Sequence, residues 1–175
     1  GALVNGSQTN TSQITVNESA PTVNLSVSAT TIAENAGTSL TLTATLSGAT
    51  DSDITVELDT SGSATDGTDY TDGSGAIDDI TISAGSTTGT VNFTPNDDTI
   101  YDATSNETAT IAINSIQGKS GVTENGDQSV TITITDNESA PTVTLTVSAT
   151  SIAENAGTSL TLTATLSNGT YQDVT

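Results

Sequence analysis

Residues 40–46 read LTLTATL, an unbroken alternation of aliphatic and threonine side chains. Successive side chains of a strand point to opposite faces, so Leu40, Leu42, Ala44 and Leu46 fall on one face and three threonines on the other. On a helix the same residues would scatter around the circumference. Threonine, branched at Cβ, suits the pleated outer surface. The alternation recurs outward from this stretch: Val23, Leu25 and Val27 before it, then Ile54, Val56 and Leu58, then Ile80 and Ile82. Val91 and Phe93 follow, then Ile111 and Ile113, then Val130, Ile132 and Ile134. Turn formers separate the runs at Ala36-Gly37, Gly48, Gly62, Gly73-Ser74-Gly75, Gly85 and Asn125-Gly126. The pattern predicts strands over 22–28, 39–46, 54–59, 79–83, 89–94, 107–116 and 128–135.

The decisive stretch also repeats. Asn17 to Gly48 reads NESAPTVNLSVSATTIAENAGTSLTLTATLSG, and Asn137 to Asn168 reads NESAPTVTLTVSATSIAENAGTSLTLTATLSN, 120 residues on with four differences. Self-similarity at a fixed offset is the mark of a tandem array. The expected organisation is the C-terminal strand of a preceding repeat over 1–17, one complete repeat over 18–140, and the N-terminal strands of the next over 141–175. Both end pieces lack any equivalent of 56–120, so they cannot join into a second domain, and the expectation is a segment of a longer array. About seven short strands per repeat, each with one buried face, predict an all-β fold: an Ig-like antiparallel β-sandwich.

Composition narrows the function. The chain of 175 residues carries 21 acidic groups against a single basic one, Lys119, for a net charge of -20. Such a chain cannot neutralise a phosphate backbone, which argues against nucleic-acid partners. It has nothing to offer anionic headgroups. No stretch approaches the roughly 20 apolar residues of a membrane helix, so no membrane insertion is expected. His and Cys are absent, and no G-x-S-x-G elbow occurs. Carboxylate pairs could serve glycoside hydrolysis, but the four aromatics, Tyr70, Phe93, Tyr101 and Tyr171, offer no sugar-stacking platform. The chain reads as no enzyme.

Strands that alternate in direction sort the acids by end. Glu34, Asp59, Asp66, Asp69, Asp72, Asp97, Asp98, Asp102, Glu107, Asp136 and Glu138 gather at one end, and Asp51, Asp53, Glu124 and Asp127 at the other. Like charges so crowded raise one another's pKa and weaken the fold unless neutralised. With oxygen ligands on flexible loops, Ca²⁺ fits better than a transition metal; a solvated acidic rim is the alternative.

Four motifs then carry a resemblance. Ile32-Ala33-Glu34-Asn35-Ala36-Gly37 looks like the I-x-E-x-x-G opening of Calx-β domains, and Gly62 to Tyr70 resembles their G-T-A-x-x-G-x-D-Y loop. Asn96-Asp97-Asp98 with Glu107 resembles the D-D-x-x-x-E-x-x-E loop, and Ile134-Thr135-Asp136-Asn137-Glu138 the closing I-x-D-N-D/E. The resemblance implies an Ig-like sandwich that binds Ca²⁺ through Glu34, Asp69, Asp97, Asp98, Asp102, Glu107 and Asp136, with Glu154 as the counterpart of Glu34 in the next copy. Tyr70 beside Asp69 is expected to pack. Repeats of this kind serve as spacers in bacterial adhesins and as calcium sensors in exchangers. The expected role is an extracellular or cell-surface spacer stiffened by calcium at its junctions, with neighbouring repeats of the same chain as partners. Two other readings are a filament subunit whose 1–17 donates a strand to another copy, and an adhesive carbohydrate- or protein-binding module. The preceding junction, Val16-Asn17-Glu18, lacks the acid that Asp136 supplies, so a weaker ion site is expected there.

Overall fold

A computed structural model describes residues 1, 11–13, 18–102 and 106–175. Its strands are β1 (Thr22–Val27), β2 (Thr31–Ala33), β3 (Leu40–Leu46), β4 (Ile54–Gly62), β5 (Tyr70–Thr71), β6 (Ile80–Ile82) and β7 (Thr88–Pro95). They continue as β8 (Ile100–Tyr101), β9 (Asn106–Gln117), β10 (Thr123–Glu124), β11 (Ser129–Thr135), β12 (Val143–Val147), β13 (Leu162–Leu166) and β14 (Gly169–Thr170). Two five-stranded sheets, β10-β1-β3-β7-β5 and β2-β11-β9-β4-β6, form the body of the molecule. It is all-β, an Ig-like sandwich. The seven strands expected from the alternation correspond to β1, β3, β4, β6, β7, β9 and β11. The strand expected over 1–17 lies mostly outside the described residues, as does Val16. Among the described residues no helix is long and apolar enough to cross a membrane.

The alternating residues build the core. Leu42 and Ala44 of β3, Ile54 and Val56 of β4, Ile80 and Ile82 of β6, and Ile111 and Ile132 of β9 and β11 are all fully buried. Each of the leucine, isoleucine and valine side chains contributes about 1.5–3 kcal/mol on leaving water. Tyr70 and Phe93, equally buried, stack with ring centroids 4.5 Å apart at 22°. Tyr70 is thus a packing residue that fastens the 63–79 loop alongside β7, with which β5 pairs.

Not every pair is antiparallel. β2 runs parallel to β11, and β10 parallel to β1. After β1 the chain bends at 28–30 and carries on in the same direction, but on the opposite sheet. The single strand expected at 22–28 is therefore followed by a second piece that lies along β11 instead of folding back. β9 contains a bulge: Glu57 pairs with Ser115 and Leu58 with Ile113, leaving Asn114 unopposed. The extra residue shifts the phase, so inward positions run Ala109, Ile111, Ile113 and then Ile116.

The second copy of the repeated stretch forms a hairpin of its own. β12 pairs with β13 from Val143↔Leu166 to Val147↔Leu162, the register of Val23↔Leu46 to Val27↔Leu42 moved by 120 residues. Its flanking bonds repeat too, with Ser148 N donating to Thr161 O at 2.9 Å as Ser28 N does to Thr41 O at 3.0 Å. The surroundings differ. Leu145 and Leu162 are 67% and 69% exposed, where Leu25 and Leu42 are 7% and 0%.

Candidate metal centre

The parallel β2–β11 pairing is what assembles the acidic end. It sets Glu34, one residue past β2, beside Asp136, one residue past β11, with Glu34 N donating to Thr135 O at 3.1 Å. The loop after β7 brings Asp98 to the same place, its Oδ1 accepting from Ile100 N at 2.6 Å. Asp102 N donates to Asp136 Oδ2 at 2.9 Å, and Glu138 N to Asp136 Oδ1 at 2.9 Å. Asp136 is thus a hub that binds the loop before β9 to the exit of β11. Glu34 Oε1 in turn accepts from Asn137 N at 3.0 Å.

These loops enclose a cavity of about 30 Å³, room for about one or two water-sized occupants. Glu34, Asp69, Asp98, Asp102, Glu107 and Asp136 line it, together with Asn96, Asn106 and Tyr171. One oxygen each from Glu34, Asp98 and Glu138 lies within 4.8 Å of the other two. Six of the eight acids expected from the sequence therefore face one cavity. Asp97 does not line it and is exposed. Glu154 sits in an exposed turn of the second copy, where Ala156 N donates to Ala153 O at 3.0 Å as Ala36 N does to Ala33 O at 3.1 Å. Glu138 was not among the expected ligands. Its signal in the sequence is the last letter of the closing motif, I-x-D-N-D/E.

Acids of this end also organise loops. Asp69 Oδ2 accepts from Thr65 N at 2.6 Å and Asp66 Oδ1 from Ile77 N at 2.9 Å. Asp72 Oδ1 gathers the Ser74 hydroxyl at 2.8 Å, Ser74 N at 2.7 Å and Gly75 N at 3.1 Å, and those donors, the hydroxyl first, hold it below the usual carboxylate range. At the opposite end Lys119 Nζ pairs with Asp51 at 2.7 Å.

The electrostatics single out the enclosed acids. Burial first, then the carboxyls of Glu138 and Asp136, push Glu34 up to about 8 against the pull of the Asn137 N–H. Burial, followed by Asp69, Asp102 and Asp98, raises Glu107. Asp136 raises Glu138. Asp136 itself is lowered: burial opposes its charge, but the N–H of Glu138, the carboxyl of Glu138 and the N–H of Asp102 outweigh it. Without a cation this crowding opposes full ionisation of Glu34, Glu107 and Glu138. Glu138 Oε2 is buried and, among the described residues, has no hydrogen-bond donor, the cost of which is normally met by a partner. Neighbouring carboxylates can supply a hydrogen bond only by holding a proton. A hard cation would serve as that partner, and an all-oxygen donor set on loops suits Ca²⁺. Glu34, Asp98, Asp136 and Glu138 would hold it.

The sequence profile of the Calx-beta domain matches residues 16–138. The chain belongs to the Calx-beta family. Calx-beta domains are calcium-binding β-sandwich modules with regulatory or structural roles, not catalytic ones. The crystal structure of CBD12 from CALX1.2 superposes on the chain with a TM-score of 0.52 at 21% identity, covering 65% of this chain and 43% of that one. That likeness is one of fold. A two-domain protein of unknown function from Bacteroides fragilis aligns with a TM-score of 0.45 at 8% identity, over 74% of this chain and 55% of that one. The chain spans less than two thirds of either structure. A comparison with curated protein sequences returns no match.

Proposed function

We propose that this Calx-beta domain is an extracellular or cell-surface spacer repeat whose acidic end takes up Ca²⁺ and stiffens the junction to the following repeat. The observation that carries the reading is the position of the cavity. Asp136 and Glu138 belong both to the acid cluster and to the connection 136–141 that leads to β12. Pro141 fixes its own φ and pushes Ala140 toward extended backbone. An ion held by Glu34, Asp98, Asp136 and Glu138 would tie the loops and the connection into one body. Neighbouring repeats of the same chain are then its partners, and stiffness along an array is its product, as suits a stalk on a bacterial surface protein.

Small-angle scattering on the whole chain, in EDTA and in millimolar calcium, tests the reading. The expected result is a longer, narrower distribution of distances in calcium, unmatched by sodium at the same ionic strength. Equal dimensions in the two states overturn the stiffening role. An unchanged melting temperature in EDTA overturns the ion site itself.

A further inference from the structure

The loop that follows β13 does not stay within the second copy. Gly169 and Thr170 pair in parallel with Ile100 and Tyr101, so β14 adds to β8 on the rim of the acid cavity. The next side chain, Tyr171, reaches into the rim, and its hydroxyl donates to Asp98 Oδ2 at 2.7 Å. Asp98 Oδ1 is already held by Ile100 N at 2.6 Å. Both oxygens of one of the clustered acids are therefore oriented, one from its own loop and one from the following repeat. Each carboxylate oxygen keeps a lone pair for a cation.

The repeat comparison points to the same residues. Positions 169–171 correspond to 49–51 by the 120-residue offset, and there the first copy reads Ala49-Thr50-Asp51. Asp51 is paired with Lys119. An Asp in place of Tyr171 would present a negative charge to a carboxylate. The tyrosine presents a hydroxyl donor on a neutral ring. Near-identity ends at Asn168, where β13 gives way to the contact with its neighbour.

We propose that residues 169–171 are a docking loop by which the following repeat seats on the acidic end of this one, with Tyr171 as a positioning residue for Asp98. The inference rests on the ion reading given above and adds its regulation: the affinity of a repeat for calcium depends on whether its neighbour is docked. Coupling of this kind is reciprocal, so the ion in turn holds the loop in place. Groups that orient a metal ligand from outside the coordination sphere commonly alter affinity by about tenfold or more. Tyr171 is 64% exposed, which screens the bond and puts the effect at the low end, about three- to tenfold.

The test compares the whole chain with Tyr171→Phe and Tyr171→Asp. Calcium affinity is measured by calorimetry, and amide hydrogen exchange is followed at 100–101 and 169–171. The expected result is a three- to tenfold weaker dissociation constant for Tyr171→Phe and a larger loss for Tyr171→Asp. In the wild type calcium should slow exchange at 169–171, and both substitutions should abolish that slowing while metal-free melting stays unchanged. Wild-type affinity in Tyr171→Phe together with unaltered exchange overturns the docking inference alone. A wild-type chain that takes up no calcium overturns the ion reading, and this inference with it.

Discussion

Glu34→Gln separates the two consequences of crowding acids around a cavity. The amide preserves the shape of the side chain and can still accept the Asn137 N–H that Glu34 Oε1 accepts at 3.0 Å. It removes one charge from a trio whose oxygens lie within 4.8 Å of one another. Two unit charges at that separation repel by about 3.5 kcal/mol at an effective dielectric near 20 and by about 0.9 kcal/mol in water. Glu34 is only part-buried and sheds some of this by holding a proton, being pushed up to about 8. A relief of roughly 1–2 kcal/mol is the part that survives at pH 8, equivalent to a rise of about 3–10 °C in the melting temperature of a domain this size. In calcium the advantage of the variant shrinks. An ion a hundredfold above its dissociation constant stabilises the wild type by about 2.7 kcal/mol, and a missing charged ligand should remove more than half of that. Scanning calorimetry at pH 8, in EDTA and in 10 mM calcium, gives both numbers on one pair of proteins. A Gln variant that melts below the wild type in EDTA, and shows the same gain in calcium, would refute the argument that these acids are held together against their own repulsion for a cation.

Further expectations concern pH and packing. Because the folded pKa of Glu34 lies above its ordinary value of 4.5, the folded chain keeps a proton that the unfolded chain has lost. Metal-free stability should therefore fall as pH rises from about 4.5 to about 8, and calcium should flatten that slope; urea melts across the range measure it. Ile132, fully buried in β11, should cost about 2–5 kcal/mol when replaced by Ala, seen as a lower urea midpoint with an unchanged slope. Gly62 ends β4 at φ +126°, where a Cβ would run into the Thr108 carbonyl. Gly62→Ala should cost upward of ~2 kcal/mol, more than Gly126→Ala, whose Cβ would meet open space at φ +69°.

The strands that build the core were readable because inward residues are aliphatic and outward ones are mostly threonine, as in Leu40–Leu46. The alternation falters where other forces set the backbone. β4 continues past Leu58 through Asp59-Thr60-Ser61-Gly62, a polar stretch held by pairing with β9 and not by burial. Ile116 is out of step with Ile111 and Ile113 until the bulge at Asn114 is known. The crossing of the chain from β1 to β2 leaves no hydrophobic signature beyond Ile32. Alternating strand direction assigned to one end the six acids that line the cavity, but could not separate those that face it from those that hold loops. Asp66 and Asp72 spend their oxygens on backbone N–H groups within their own loop, and such bonds depend on turn geometry that composition does not encode. The role of Tyr171 was hidden for another reason: it acts on a residue 73 positions away, across a repeat boundary.

The β12–β13 hairpin has a kinetic consequence. It keeps the register and flanking bonds of β1–β3, but an isolated two-stranded hairpin is marginal in water. During synthesis such a hairpin stays loosely held until the strands that cover it have emerged. The same property is a hazard, because 28 of the 32 residues in 137–168 match 17–48, and either hairpin satisfies the hydrogen bonds and inward positions of the other. Exchange of like elements between neighbours is a characteristic failure of multidomain and repeat chains. Two interchangeable hairpins differ little in energy once seated, so the order of emergence decides which one occupies a sheet. N-terminal domains fold first as the chain is made, and a sandwich closed around β1 and β3 before residue 137 appears leaves the second hairpin nothing to invade.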